Sequence, residues 1–156
     1  MKENSLLVII AAAGSGERFG GETPKQYMQL NGKSVIENSV YPFLVSKYVK
    51  KVIIAISKND EFIEKQDFYN SKKVEFVLGG DSRQDSIKNA LDLDNKEFEF
   101  VITHDAARPN VTEEDILNIY EEIIKKDSDC SIFYIPVVDS IKKIQEKKTL
   151  DKANYY

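Results

Sequence analysis

The chain is organised around the stretch LLVIIAAAGSGERFGGETPKQY, which runs from Leu6 to Tyr27. The apolar run at its start, residues 6–10, is typical of a parallel strand that is buried on both faces. Small residues follow as far as Gly16, and the glycines among them permit positive φ and leave no Cβ in the way. A loop of this kind can direct several backbone N–H groups at an anion. The stretch therefore predicts a buried strand followed by an anion-binding loop.

Two cations, Arg18 and Lys25, lie in the same loop, and Pro24 stiffens the backbone just before the lysine. The loop lacks the dinucleotide fingerprint because residue 19 is Phe, and it lacks the Gly-Lys-Ser/Thr ending of a Walker loop. From the glycines alone, a plain strand-to-helix turn is an equally good interpretation. With its two cations, the loop favours a site for a nucleoside triphosphate.

Strand-like and helix-like patterns alternate along the rest of the chain. Further strands are predicted over residues 51–56, 74–78, 98–103 and 130–137, and helices over residues 60–69 and 82–93 and after the cap residues Ser34 and Thr112. Pro42 is expected to kink the helix that Ser34 begins, or to end it early. The alternation predicts one α/β domain, Rossmann-like, with a mostly parallel sheet and helices on both faces.

In such a sheet, ligands bind outside the carboxyl ends of the strands. Three clusters of informative residues follow predicted strands, at residues 11–27, 79–86 and 104–109. In the second cluster, Gly80, Asp81 and the Ser86 hydroxyl could read the edge of a pyrimidine, but a turn capped by Asp81 or Ser82 explains the same residues. In the third, Asp105 and Arg108 could hold a metal and an anion, or form an ion pair that closes a turn.

Composition excludes several classes of protein. The net charge of −4 argues against a nucleic-acid partner. No apolar run approaches the ~20 residues that a membrane span needs, and residues 1–10 do not resemble a signal peptide, so a cytoplasmic location is expected. Cys130 is the only cysteine and is expected in the core. His104 is the only histidine, which excludes a multi-histidine zinc site and indicates a structural residue.

Two motifs resemble those of a known family. Pro24-Lys25-Gln26-Tyr27 after a Gly-x-Gly-x-Arg loop, and His104-Asp105-Ala106-Ala107-Arg108-Pro109, are similar to motifs of the 2-C-methyl-D-erythritol 4-phosphate cytidylyltransferases of isoprenoid synthesis. The resemblance implies a fold of the nucleotide-diphospho-sugar transferase type. It also implies that CTP and the sugar-alcohol phosphate combine to give CDP-methylerythritol and pyrophosphate, with Mg²⁺ as cofactor.

The resemblance also assigns roles to residues. Arg18 and Lys25 would be catalytic, by neutralising charge at the α-phosphorus. Nucleotide binding would fall to Ala12, Ala13, Gly14, Gly16, Gly80, Asp81 and Ser86. The sugar phosphate would be bound by Asp105, Arg108, Ser140 and Lys152, and Asp105 would also hold the metal. Ser140 stands where the family has threonine, and Lys152 stands where it has arginine.

The end of the chain leaves alternatives open. Residues 139–142 resemble the motif at the base of the family's protruding β-arm, which implies an arm over residues 137–156 and a homodimer formed through it. The family continues beyond this point, so we expect the chain to be the N-terminal part of a longer fold whose C-terminal part is missing. A ribitol 5-phosphate cytidylyltransferase shares the loop, although residues 135–142 favour the isoprenoid branch. A fragment of this length could also bind nucleotide or dimerise without catalysing transfer.

Overall fold

The computed structural model describes residues 5–14, 23–93, 98–126, 128–134 and 136. Within them, strands and helices alternate as predicted. The elements are β1 (Leu6–Ala11), β2 (Gln29–Leu30), β3 (Lys33–Ser34), α1 (Val35–Val45), β4 (Val49–Ile56), β5 (Val74–Leu78), α2 (Arg83–Leu93), β6 (Phe100–Asp105) and α3 (Glu113–Lys125). Single turns of 3₁₀ helix lie at Lys25–Tyr27 and Ile63–Lys65.

Four strands form the main sheet in the order β5-β4-β1-β6, and every pairing in it is parallel. Strand β1 lies inside the sheet, paired on both edges, and Leu6 to Ile10 are at most 1% exposed. This is the environment that a continuous apolar run indicates. The small β2–β3 hairpin forms a separate two-stranded sheet.

Alternate side chains of β1 enter two different cores because successive residues of a strand point to opposite faces. Leu6, Val8 and Ile10 pack with apolar residues of α1 and α3. Leu7 and Ile9 pack on the other face with Ala90 of α2. Helices therefore cover both faces of the sheet, and the predicted fold class is confirmed.

Two of the predicted helix caps are present in full. The Ser34 hydroxyl accepts the backbone N–H of Glu37, and the Glu37 carboxylate accepts the N–H of Ser34. Thr112 and Asp115 make the same reciprocal pair at the start of α3. Helix α1 continues past Pro42 and ends three residues later, at Val45. Proline has no backbone N–H, so Pro42 costs the last turn a single hydrogen bond.

The predicted helix over residues 60–69 is wrong, since only the 3₁₀ turn Ile63–Lys65 forms there. One Asp60 oxygen accepts the backbone N–H groups of both Phe62 and Ile63, each at 3.0 Å. This side chain starts a tight local turn in place of a regular helix. The turn closes where the Gln66 N–H donates to the Ile63 carbonyl.

The predicted strand over residues 130–137 is also wrong at the residues described, 130–134 and 136, none of which is in a strand. A strand exists only where its backbone pairs with another, and a sequence pattern cannot supply the partner. Ile132 and Phe133 instead border an apolar cleft of about 560 Å³ between β6 and α3. Cys130 is exposed, so the expectation that it lies in the core is wrong as well.

The apolar cleft is separate from the sheet edge where ligands were expected. Its β6 lining runs from Phe100 to Thr103 and stops short of Asp105. Among the described residues, no helix is long and apolar enough to cross a membrane.

Candidate active site

The three loops predicted to carry chemistry meet at the carboxyl edge of the sheet. Ala11 at the end of β1 lies in register with Asp105 at the end of β6, and the Ala106 N–H donates to the Ala11 carbonyl at 3.2 Å. Gly79, just after β5, approaches Ala13 so closely that a Cβ on it would lie 2.2 Å from the Ala13 Cβ. Parallel pairing thus brings segments 12–14, 79–86 and 105–108 to one edge.

In the first loop, the residues divide into those used by the fold and those left to a ligand. Ala12 is buried, its N–H donates to the Ala55 carbonyl at 2.9 Å, and its own carbonyl accepts from Gln26 at 2.9 Å. Ala13 is half-buried and Gly14 is exposed. Gly14 does not use the positive φ that glycine permits, since among the described glycines only Gly32 has one. Apart from its chain neighbours, no described residue comes within 4 Å of a Cβ placed at Gly14.

Lys25 lies in a turn whose next two residues, Gln26 and Tyr27, both make side-chain contacts with other parts of the chain. On one side the Gln26 amide reaches back to the first loop. On the other, the Tyr27 hydroxyl donates to Asp60 at 2.6 Å and its ring stacks on Phe62 at 5.1 Å. Burial and the Asp60 carboxylate raise the pKa of Tyr27 far above its ordinary value, so the hydroxyl keeps its proton. The other predicted catalytic residue, Arg18, and the predicted ligand contact Gly16 lie outside the described residues.

The second loop is held by internal hydrogen bonds. The Ser86 hydroxyl is buried, accepts the Gly80 N–H at 3.1 Å and donates to the Ser82 carbonyl at 3.0 Å. Ser82 rather than Asp81 caps α2, through reciprocal bonds with Asp85, and Asp81 is exposed. The roles of Gly80, Asp81 and Ser86 toward a nucleotide stay predictions.

In the third loop, the Asp105 carboxylate is held between two arginines. Its Oδ1 accepts from the Arg83 Nε at 2.7 Å, and its Oδ2 accepts from the Arg108 Nε at 2.8 Å. Burial alone would raise the pKa of Asp105, but the hydrogen bond from Arg83 and the charges of both arginines outweigh it and lower the pKa. The group is ionised at neutral pH, and the three side chains together carry a net positive charge that suits an anion.

The Asp105 carboxylate is chemically suited to bind Mg²⁺. The described residues contain no group of three or more His, Cys, Asp or Glu side chains that could cage a metal. Mg²⁺ is commonly held by one or two carboxylates together with the phosphates of a substrate. A carboxylate has about four acceptor positions, and the two arginines use two of those on Asp105.

His104 acts on the backbone of the same loop. Its Nε2 lies 2.9 Å from the Arg108 carbonyl, which can only accept, so this nitrogen carries the proton. The ring also packs against Phe43 at 5.3 Å. Burial lowers the pKa of His104, which keeps the ring neutral at pH 7. These contacts agree with the structural role expected from the sequence.

Arg83 and Gln26 are site residues to which the sequence assigned no role. Arg83 lies in the first turn of α2, where its guanidinium crosses to Asp105. Gln26 is buried beneath the first loop. Both stand inside motifs that had been noticed, but which group each contacts depends on how distant loops pack. Ser140, Lys152 and the predicted arm over residues 137–156 lie outside the described residues.

Taken together, these features define a class of protein. A parallel α/β sheet carries a small-residue loop after its first strand, and a carboxylate flanked by arginines stands at the adjacent strand end. This is the arrangement of a phosphate- or nucleotide-binding α/β protein.

The sequence profile of the 2-C-methyl-D-erythritol 4-phosphate cytidylyltransferase family matches residues 6–154, and the chain belongs to that family. A relative of this name from Wigglesworthia glossinidia brevipalpis is 38% identical over 138 residues, 88% of this chain and 59% of its own length. Another from Alteromonas mediterranea is 34% identical over 150 residues, 96% of this chain and 62% of its own length.

A solved structure of the Francisella tularensis 2-C-methyl-D-erythritol 4-phosphate cytidylyltransferase is also similar. It has a TM-score of 0.63 and 34% identity, over 80% of this chain and 54% of that one. The chain spans about 60% of the length of the relatives quoted.

Proposed function

We propose that this protein transfers a cytidylyl group from CTP to 2-C-methyl-D-erythritol 4-phosphate and releases pyrophosphate. Membership of the family supports the reaction. The observation in the structure that carries the proposal is the Asp105 carboxylate, held between Arg83 and Arg108 beside the small-residue loop after β1. An ionised acid and two cations at the loop edge suit a reaction between two anions.

The proposed chemistry needs no general base. The attacking group is a phosphate monoester, whose second pKa is near ~6, so it is dianionic at neutral pH. One of its oxygens forms a bond to the α-phosphorus of CTP, and the bond from that phosphorus to the bridging oxygen breaks, so that pyrophosphate leaves with the electron pair. The difficulty lies in repulsion between the two anions and in charge that develops at phosphorus.

The side chains of the site would answer that difficulty by positioning and neutralisation. Lys25 and Arg18 would face the triphosphate, and Arg108 would hold the acceptor phosphate. Asp105 would hold Mg²⁺, which when bound neutralises phosphate charge and orients the triphosphate. His104 keeps the loop between Asp105 and Arg108 in shape through its bond to the Arg108 carbonyl.

The proposal extends to the assembly and location of the protein. We place the dimer contact in the arm over residues 137–156, with Ser140 and Lys152 near the acceptor, because the sequence there resembles the arm of the family. A cytoplasmic location follows from the proposed use of CTP. Sedimentation velocity of this chain with and without residues 137–156 tests the dimer, and an unchanged monomer in both would contradict it.

Pyrophosphate release from CTP tests the reaction, with 2-C-methyl-D-erythritol 4-phosphate and ribitol 5-phosphate compared as acceptors in the presence of Mg²⁺. Release with the first acceptor and little with the second supports the proposal. The reverse preference assigns the alternative acceptor. CTP binding by calorimetry without release from either acceptor would assign a non-catalytic nucleotide-binding role to the chain.

Lys25→Ala is expected to lower turnover by on the order of 100-fold or more, because one charge that stabilises the transition state is lost. Lys72→Ala is the matched control. It removes an exposed lysine two residues before β5 begins, at the opposite edge of the sheet. Equal turnover in the two variants would overturn the role of Lys25.

A further inference from the structure

Gln26 makes a contact that the proposed reaction does not yet explain. Its side chain is only 6% exposed. The amide Nε2 donates to the Ala12 carbonyl at 2.9 Å and to the Gly14 carbonyl at 3.1 Å. An amide nitrogen carries two hydrogens, so both of its donors go to the backbone of the loop after β1.

The bond to the Ala12 carbonyl fixes the direction of one donor of this segment, the Ala13 N–H. A peptide group is planar and trans, so its C=O and N–H point to opposite sides. Since the Ala12 carbonyl points at Gln26, the N–H of Ala13, which belongs to the same peptide group, points away from it. Neither Ala13 nor Gly14 donates its N–H to another residue that the structure describes. The amide of Gln26 thus turns the polar backbone of this segment so that donors remain for a ligand.

Gln26 also ties the loop to the lysine beside it. Lys25 and Gln26 belong to one turn of 3₁₀ helix, in which the Met28 N–H donates to the Lys25 carbonyl at 3.2 Å. The far end of the turn is fixed by the bond from Tyr27 to Asp60. The backbone of Lys25 therefore lies at a set position relative to the carbonyls of Ala12 and Gly14.

We propose that Gln26 is a positioning residue for a polyphosphate. It holds residues 12–14 with the Ala13 N–H directed toward the phosphates, and it sets Lys25 beside that segment. The inference rests on the proposed function in one respect, that the ligand carries a chain of phosphates, and it does not depend on the base or on the acceptor.

Calorimetry with two probes, CTP and inorganic triphosphate, each with Mg²⁺, tests the role on the full chain. Gln26→Glu keeps the size of the side chain, removes both donors and puts a carboxylate against two carbonyls. We expect its affinity for both probes to fall by about tenfold or more, since two hydrogen bonds that orient the loop are lost. Gln26→Met removes the donors without adding charge. It replaces Gln26→Glu in the same calorimetry if the charged variant does not fold.

Gln66→Glu is the matched control. The Gln66 amide also donates to a backbone carbonyl, that of Phe62 at 2.9 Å, and its oxygen accepts a bond from Ser34 that glutamate would keep. Thermal unfolding of each variant separates a loss of folding from a loss of loop geometry. We expect Gln66→Glu to bind both probes like the wild type, whatever its effect on stability.

The pH dependence of Gln26→Glu gives a signature that a general loss of stability would not. A protonated glutamic acid can donate to one of the two carbonyls, whereas the carboxylate cannot donate at all. The ratio of the variant Kd to the wild-type Kd, measured at the same pH, should therefore grow as pH rises through the pKa of the new carboxyl group. For Gln66→Glu the ratio should stay constant.

The possible outcomes separate this inference from the proposed function. If the wild type binds both probes and the Gln26 variants bind them equally well, the positioning role is wrong and the proposed reaction stands. If the wild type binds inorganic triphosphate without preferring CTP, and the Gln26 variants lose that binding, the role stands and the cytidylyl reaction loses support. If the wild type binds neither probe, both are overturned.

Discussion

At the scale of single residues, the charge of Asp105 is the outcome of two opposed effects. Burial favours the neutral acid, while the hydrogen bond from Arg83 and the charges of Arg83 and Arg108 favour the carboxylate. The arginines prevail, so the group is ready at neutral pH to hold a cation or to align its partners. Such exposed ion pairs add little to stability, typically about 0–1 kcal/mol. We therefore expect these ion pairs to affect the proposed reaction more than the stability of the fold.

Asp105→Asn is expected to reduce pyrophosphate release by on the order of 100-fold. The substitution removes the negative charge of the carboxylate that would hold the metal and that pairs with two arginines. The melting temperature should change little. Glu75→Gln is the control, since it removes the charge of the comparably exposed Lys51–Glu75 pair at 2.7 Å. A variant of Asp105 that releases pyrophosphate as fast as Glu75→Gln would show that the carboxylate has no catalytic part.

At the scale of elements, the site depends on how closely the loops after β1 and β5 approach. Gly79 lies against Ala13 and Ser86, where a side chain has no room. Its φ is not in the left-handed region, so space rather than backbone conformation requires glycine at this position. The contact keeps the small-residue loop next to the first turn of α2.

Gly79→Ala would place a Cβ 2.2 Å from the Ala13 Cβ and 2.9 Å from the Ser86 Oγ. We expect a loss of about 1–3 kcal/mol in the free energy of unfolding, measured by urea denaturation, because the two loops must separate. Gly14→Ala, in the same region but where a Cβ would meet no other described residue beyond its chain neighbours, should change the free energy by less than about 0.5 kcal/mol. Equal losses in the two variants would mean that the loops do not pack as described.

At the scale of the whole molecule, β1 with its two flanking strands organises both cores and brings the chemistry to one edge. The order of strands and helices could be predicted because apolar periodicity and cap residues are local signals. The predicted strand over residues 130–137 was wrong at the residues described, since a strand needs a partner of the right register. The predicted helix over residues 60–69 does not form, because the Asp60 side chain accepts two backbone N–H groups locally.

The stability of the whole fold should fall in mild acid. Burial lowers the pKa of His104 in the folded protein below the value of about 6.5 expected in the unfolded chain. The unfolded chain then binds the proton more readily, so the free energy of unfolding decreases as pH falls from 7 through about 6. Asp105, whose pKa is lowered, contributes only in more acidic solution.

Urea denaturation at pH 7.5 and pH 5.5 would measure this decrease, which we expect to be at most about 1 kcal/mol for a partly buried ring. His104→Gln retains a donor for the Arg108 carbonyl but does not titrate, so its stability should differ less between the two pH values. His104 is the only histidine, which makes the comparison direct. A decrease of the same size in the variant would assign the effect to other groups.

Local pattern was enough to predict the alternating α/β order and the buried first strand, because periodicity and caps follow from neighbouring residues. That alternation implies a parallel sheet, and with it the gathering of three loops at one sheet edge. Tertiary packing alone decided that Gln26 reaches the carbonyls of Ala12 and Gly14, that Arg83 reaches Asp105, and that Cys130 is exposed. The physical reason is distance: a hydrogen bond forms only within about 3 Å, and how the loops pack sets that separation.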